Sequence, residues 1–87
     1  MMQKAAWLYD AGEDASEAAN MAKYAAAEAG IAAVDQAIQT HGGNGMSAEY
    51  GLANLWGMAR TLRIAPVSRE MILNFVAQHG LDLPRSY

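Results

Sequence analysis

Residues 15–45 read ASEAANMAKYAAAEAGIAAVDQAIQTHGGNG, and this stretch decides the fold. Its first part is rich in alanine, the residue with the highest helix propensity. Its end places three glycines within four residues, where the backbone can take positive φ and another group can approach the main chain closely. The pattern predicts one helix over about residues 15–40, followed by a corner that ends the helix, holds a ligand, or does both.

The start and the inner side of this helix follow from side-chain type. Asp14 and Glu17 have the spacing of a capping box, which satisfies the first backbone N–H groups of a helix. Small residues at three- and four-residue spacing indicate a side on which other helices approach closely. They are Ala18, Ala22, Ala25, Ala29 and Ala32 or Ala33.

Three further helices are predicted around the long one. Residues 3–9 form the first, which is expected to be the end of a longer helix and to stop at Gly12 in a left-handed cap. Ser47 is expected to cap the third, whose apolar stripe recurs at helical spacing. That stripe consists of Leu52, Leu55, Trp56, Ala59 and Leu62.

The fourth helix follows a break at Pro66, because proline removes a backbone donor and biases the preceding residue away from helix. Ser68 is expected to cap it, with Met71, Phe75 and Val76 on the buried side, and Gly80 to end it. The tail from Leu81 to Tyr87 is too short for another element. We therefore predict an all-α antiparallel helical bundle of about four helices, the first truncated, forming one domain over residues 1–87.

Composition excludes several classes of function. The net charge is −3, with six Lys and Arg residues scattered along the chain, so there is no basic face for nucleic acid or an anionic membrane. No segment approaches the roughly 20 apolar residues of a membrane span, and no signal peptide is recognisable. The chain has no cysteine, which fits a reducing compartment, so a cytoplasmic location is expected.

Few residues suggest chemistry by themselves. His41 and His79 lie on different elements without acidic residues at ligand spacing, so no metal site is predicted. His41 can contact a ligand or complement the negative end of the helix dipole, and the pattern favours neither. Glu49 beside Tyr50 is most simply an acid favoured at a helix start. From composition and periodicity alone, the chain is a helical bundle with one glycine-rich corner that can receive a phosphate or another polar ligand.

The order of residues adds a resemblance. The run from Met21 to Ala25, the element Gln39-Thr40-His41-Gly42-Gly43-Asn44-Gly45, then Glu49-Tyr50, Ala59-Arg60 and Ile64 resemble the C-terminal helical domain of the acyl-CoA dehydrogenase family. The Gln-x-His-Gly-Gly-x-Gly element is specific, and the resemblance covers nearly the whole chain. The N-terminal helical domain, the middle β domain and the first helix of the C-terminal bundle have no counterpart in these 87 residues.

The resemblance implies a flavoprotein that removes a proton and a hydride from an acyl-CoA thioester and passes electrons to an electron-transfer flavoprotein. It implies that the Gln39 side chain and the backbone of Thr40, His41, Gly42 and Gly43 contact FAD held mainly by a neighbouring subunit of a homo-oligomer. Ser68 corresponds to a position that contacts flavin through its hydroxyl. These six residues are the predicted cofactor-binding residues, and no catalytic residue is predicted.

One departure from the family pattern concerns catalysis. Many members carry an Ile-Tyr-Glu-Gly-Thr-type loop whose glutamate abstracts the α-proton, whereas this chain reads Ile64-Ala65-Pro66-Val67-Ser68. Pro66 cannot accept a proton, so this loop cannot supply the base. The isolated chain is therefore expected to be inactive, contributing flavin contacts and subunit packing. The alternative is a self-associating helical module without a cofactor role, in which the corner is only a turn.

Overall fold

The chain is all-α in the computed structural model, which describes residues 1–86. Four α-helices are present, α1 (Met2–Asp10), α2 (Ser16–His41), α3 (Leu52–Thr61) and α4 (Arg69–His79), with a short 3-10 helix at Gly42–Met46. No strand occurs in this part of the chain. The predicted all-α class with four helices is confirmed, while Tyr87, the last residue of the predicted tail, lies outside the described residues.

The helices belong to two compact units. The first combines residues 1–25 with the described residues from Val67 onward, and the second consists of Ala26–Pro66. α2 supplies residues to both. Each unit is described by itself below.

Gly12 ends α1 as predicted. Its φ is +74°, and its N–H donates to the Tyr9 carbonyl at 3.1 Å. The next residue, Glu13, donates to Leu8 at 2.9 Å. This pair of bonds is the Schellman motif, which satisfies the last carbonyl groups of a helix and needs a left-handed residue that glycine adopts without strain.

The start of α2 differs in detail from the predicted capping box. The helix begins at Ser16, one residue later than expected, and the Asp14 carboxylate accepts from both the backbone N–H and the hydroxyl of Ser16. Asp14 thus forms an Asx-turn, in which its side chain accepts from the backbone N–H two residues later, just before the helix. The hydrogen bonds, first from the Ser16 side chain and then from its backbone, lower the pKa of Asp14.

The predicted cap of α3 is wrong. α3 begins at Leu52 after Gly51, whose φ is +70°, and no side chain caps it. Ser47 instead follows the 3-10 helix with an extended backbone, and its hydroxyl oxygen is buried without a hydrogen-bond partner in the described part of the chain. Residues 48–50 form a turn and Gly51 is left-handed, so α3 starts only at Leu52.

The start and end of α4 agree with the prediction. Ser68 is its N-cap, with its side chain accepting from the Met71 N–H at 3.3 Å, and Gly80 is the residue after its last turn. The buried side is shifted, however. Ile72 is 1% exposed, whereas Met71, expected to be buried, is 44% exposed.

The buried side of α2 also differs from the predicted alanine stripe. Ala18 is buried, but the remaining alanines of that stripe are exposed or only partly buried. In the second unit the buried positions are Ala27 and Ile31, followed by partly buried Val34 and Ile38. These four residues have the spacing i, i+4, i+7 and i+11, which places them on one side of the helix.

Large apolar side chains are unusually exposed in both units. In the first they include Trp7 and Leu73. In the second they are Leu55, Trp56 and Leu62, three members of the predicted apolar stripe, together with others. Full burial of a large aliphatic or aromatic side chain stabilises by about 1.5–3 kcal/mol. Much of this free energy is left unused within the 87 residues.

Gly45 shows how tightly the second unit is packed at the corner. A Cβ on this buried glycine would lie 2.6 Å from the carbonyl oxygen of Ile38 and 3.0 Å from its Cα. Both atoms belong to the backbone of α2, so they cannot move aside as a side-chain end can. The 3-10 helix therefore approaches α2 at a distance that only glycine permits.

We predict that Asp14→Ala weakens the dependence of stability on acidic pH. A lowered folded-state pKa means that the hydrogen bonds stabilise the fold above the usual carboxyl value of 3.8 and are lost as the pH falls through the lower folded value. The measurement is the urea midpoint from neutral pH downward. Asp35→Asn, an exposed carboxylate within α2, is the control, and an unchanged pH profile in Asp14→Ala would contradict the assignment.

We predict that Gly45→Ala destabilises the fold by about 1–3 kcal/mol, because the added methyl group overlaps backbone atoms. Gly43→Ala is the matched control, since nothing lies within 4 Å of a Cβ at that position. Its effect is expected within about 0.5 kcal/mol of zero. Urea unfolding followed by circular dichroism measures both, and equal stabilities would show that the close approach to Ile38 is not required.

Candidate functional site

The glycine corner lies where α2 ends. α2 stops at His41, Gly42 takes a φ of +60°, and the 3-10 helix runs from there to Met46. The side chains or backbone of residues 39–43 are exposed. Five of the six predicted cofactor-binding residues therefore form one continuous accessible segment of the second unit.

The side chains of Thr40 and His41 form hydrogen bonds to the backbone of α2. Thr40 Oγ1 donates to the Gln36 carbonyl at 2.9 Å, and His41 Nδ1 lies 2.8 Å from the Ala37 carbonyl. A carbonyl only accepts, so Nδ1 carries the hydrogen in this geometry. Both bonds go to carbonyl groups four residues earlier within α2, so they hold the two side chains against the helix.

The ring of His41 is further held by an aromatic neighbour. It packs edge-on against Tyr50, with ring centroids 5.6 Å apart and planes inclined by 65°. Of the two roles that the sequence left open for His41, the observed contacts belong to the one at the end of the helix. The ring nevertheless remains accessible.

The three glycines of the corner differ in whether the structure requires glycine at their positions. Gly42 has a positive φ, and Gly45 lies against the Ile38 backbone. Gly43 has neither, because its φ is outside the left-handed region and a Cβ would meet open space. Glycine costs more conformational entropy on folding than any other residue, yet nothing in the described chain requires it at position 43. A group outside the chain that approaches this backbone closely would account for it, although Gly30 and Gly57, within α2 and α3, also meet open space.

The electrostatics of the corner limit its affinity for an anion. It follows the C-terminal end of α2, where the carbonyl dipoles carry partial negative charge. The segment from Gln39 to Gly45 also contains no lysine or arginine. A phosphate group at this place depends on individual N–H donors and on charge supplied from elsewhere.

Ser68 belongs to the first unit, not to the unit that holds the corner. Its oxygen accepts from the Met71 N–H, which leaves the hydroxyl hydrogen available to donate. The structure therefore confirms its role as a helix cap and leaves its predicted contact with flavin compatible with that role.

The segment before Ser68 contains no carboxylate between Leu62 and Val67. Glu70, the first acid after it, lies 3.3 Å from the Arg69 guanidinium in the first turn of α4. This position suits the positive end of the helix dipole. Pro66 thus has no nearby acidic substitute in the sequence of the loop.

Two features of the second unit were missed from the sequence. Glu28 accepts two hydrogen bonds from Arg63, at 2.9 and 2.7 Å, which fixes the chain after α3 against α2. An open groove of about 290 Å³ is lined mainly by apolar groups, with one carboxylate at its side. Its residues are Asp35, Ile38, Met46, Ala53 and Trp56. The spacing of Ile38 after Ile31 and Val34 was the available signal.

Two other kinds of site are absent from residues 1–86. No group of three or more metal-ligating side chains converges there. No helix in the same range combines the length and hydropathy that a membrane span needs.

Comparison with known proteins identifies the family. The sequence matches the family described as "Acyl-CoA dehydrogenase, C-terminal domain" over residues 1–81. Acyl-CoA dehydrogenase FadE12 of Mycobacterium tuberculosis strain H37Rv is 67% identical over 89 residues, which cover all of this chain and 23% of that protein. No solved structure matches the chain.

More distant relatives have other names. A 3-(aryl)acrylate reductase of Clostridium sporogenes is 41% identical over 93% of the chain and 22% of its own length. A (2S)-methylsuccinyl-CoA dehydrogenase of Cereibacter sphaeroides is 38% identical over 88% of the chain and 14% of its own length. The chain thus spans less than a quarter of these relatives. With its four helices and its glycine corner, it belongs to the acyl-CoA dehydrogenase family and corresponds to the C-terminal domain.

Proposed function

We propose that this chain supplies FAD contacts and a subunit-packing surface to a flavin-dependent acyl-CoA dehydrogenase. Acyl-CoA dehydrogenases in general depend on a flavin and form oligomers. The observation that carries the proposal is Gly43, an exposed glycine that the conformation and packing of the described chain do not require. Close approach of a dinucleotide to this backbone would explain it.

The residues present fit this group in a limited way. The Gln39 side chain, the backbone of residues 40–43 and the Ser68 hydroxyl would hold parts of FAD, while the protein charge that balances its pyrophosphate comes from outside the corner. Bound FAD supplies the acceptor for a hydride from the β-carbon of an acyl-CoA. Electrons would then pass to an electron-transfer flavoprotein. The role of this chain is to contribute to the binding and orientation of FAD.

Proton abstraction is not assigned to this chain. Its loop has Pro66 where many family members have a glutamate, and proline has no group that accepts a proton. We therefore propose that the 87 residues alone do not catalyse dehydrogenation. The absence of cysteine suits a reducing compartment, so the proposed location is the cytoplasm.

A packing role is supported by the exposed side of α3. Leu55 is 46% exposed, Leu62 50% and Met58 70%. Contiguous apolar patches of several hundred Å² on soluble proteins usually mark an interface. The same observation favours the alternative function, a self-associating helical module without a cofactor. The two differ in whether FAD contacts the corner.

We predict that millimolar FAD shifts the backbone amide signals of Gly42 and Gly43 in an NMR titration of the 87-residue chain. Gly43→Ala should weaken this binding by about tenfold or more, since a methyl group in a close contact costs about 1–3 kcal/mol. Its free energy of unfolding should stay nearly unchanged, because no atom of the fold occupies that space.

The control is Gly57→Ala in α3, which also meets open space but lies outside the corner. It should stabilise by about 0.5–1 kcal/mol and leave FAD binding unaltered. Unshifted corner amides, or equal binding by Gly43→Ala, would favour the module without a cofactor. Adding an acyl-CoA should not bleach the flavin, and turnover would refute the claim that the chain alone is inactive.

We also predict that the chain self-associates. Light scattering should give a mass above the 9.3 kDa of one chain, and Leu55→Glu should lower it by placing a charge in the apolar side of α3. Asn54→Glu adds the same charge at a neighbouring exposed position without removing apolar area. A monomeric wild type at high concentration, or equal effects of the two variants, would contradict a packing role for Leu55.

A further inference from the structure

Lys23 forms a long-range hydrogen bond to the backbone beside Ser68. Its ammonium Nζ donates to the carbonyl oxygen of Val67 at 2.7 Å, between residues 44 positions apart. Both residues belong to the first unit. Hydrogen bonds with an ionised partner are shorter and stronger than neutral ones. This bond therefore connects α2 to the residue that directly precedes the predicted flavin contact.

The Val67 carbonyl and the Ser68 N–H belong to one peptide group. The cis peptide bond of the described chain lies at Ala65–Pro66, so the Val67–Ser68 bond is trans. In a planar trans peptide, the C=O and the N–H point in opposite directions. By holding the carbonyl, Lys23 fixes the Ser68 N–H so that it points away from the ammonium group.

A second bond fixes the Ser68 side chain. Its oxygen accepts from the Met71 N–H at 3.3 Å, while the backbone has a φ of −66° and a ψ of 154°. The hydroxyl hydrogen is then free to be donated elsewhere. Lys23 on one side and the cap on the other thus orient both donors of Ser68, its N–H and its O–H.

The bond also costs conformational entropy. Lysine is among the side chains that lose the most rotamer freedom when held in one geometry. Lys23 is partly buried and keeps its long stem in place to reach the Val67 carbonyl.

We propose that Lys23 is a positioning residue, which orients the amide and hydroxyl donors of Ser68 for contact with the flavin. The inference rests on the proposed function, because the flavin contact of Ser68 is part of it. It assigns Lys23 no contact with the flavin. Its effect is transmitted through the Val67–Ser68 peptide group.

The test compares three variants of the 87-residue chain by NMR. Lys23→Met keeps the stem and removes the donor, Lys23→Arg keeps a charged donor, and Lys4→Met is the control at the other lysine, which is exposed in α1. Without FAD, Lys23→Met should move the Ser68 amide signal and speed hydrogen exchange at Met71 about five- to tenfold. Lys23→Arg should largely restore both values, and Lys4→Met should change neither.

The second part adds FAD to the same variants. The wild type should show shifts at Ser68 and Gly43, whereas Lys23→Met should lose the Ser68 shift and retain the one at Gly43. An unchanged Ser68 signal in Lys23→Met, or no response of wild-type Ser68 to FAD, would overturn the positioning role. No response at Gly43 would instead refute the proposed function, and the measurements without FAD would still report whether Lys23 orients Ser68.

Discussion

The limited side-chain volume of α2 is the constraint on which the rest of the structure depends. Alanine favours the helix and lets a neighbouring backbone come close, but each alanine removes little apolar surface from water. The buried apolar residues of α2 illustrate this, because Ala18 and Ala27 are small and only Ile31 is larger. A chain of this kind forms its helices readily and leaves its larger apolar groups exposed for contacts with other segments.

Helix ends were predicted best where one residue type has one mechanism. Gly12 has the left-handed conformation that the Schellman motif needs, and Ser68 accepts the hydrogen bond of an N-cap. The prediction for Ser47 failed because residues 48–50 form a turn and Gly51 is left-handed, so that α3 starts only at Leu52. Local capping signals do not show how many residues a preceding glycine-rich turn will use.

The buried side of α2 could not be predicted because alanine occupies almost every candidate position. When alanines lie on all sides of a helix, their spacing does not show which side is buried. The predicted side included Ala25 and Ala29, which are exposed. In the second half of α2, the buried side is determined by Ile31, Val34 and Ile38, because larger apolar side chains gain more free energy from burial. The pair of Glu28 and Arg63 depends on the fold, because 35 positions separate the two residues.

The candidate site shows the same division between local and distant causes. The motif located the corner, but the coordinates separate its glycines into one required by φ, one required by packing and one, Gly43, that neither explains. The loop at Pro66 has lost the usual acid, yet the adjacent Ser68 keeps its cap and, through Val67, its bond to Lys23. The absence of a proton acceptor at position 66 therefore need not disturb the groups that we propose to orient a cofactor, since the two tasks depend on different atoms of the same loop. The proposed flavin contacts are compatible with removal of the proton by a residue located elsewhere.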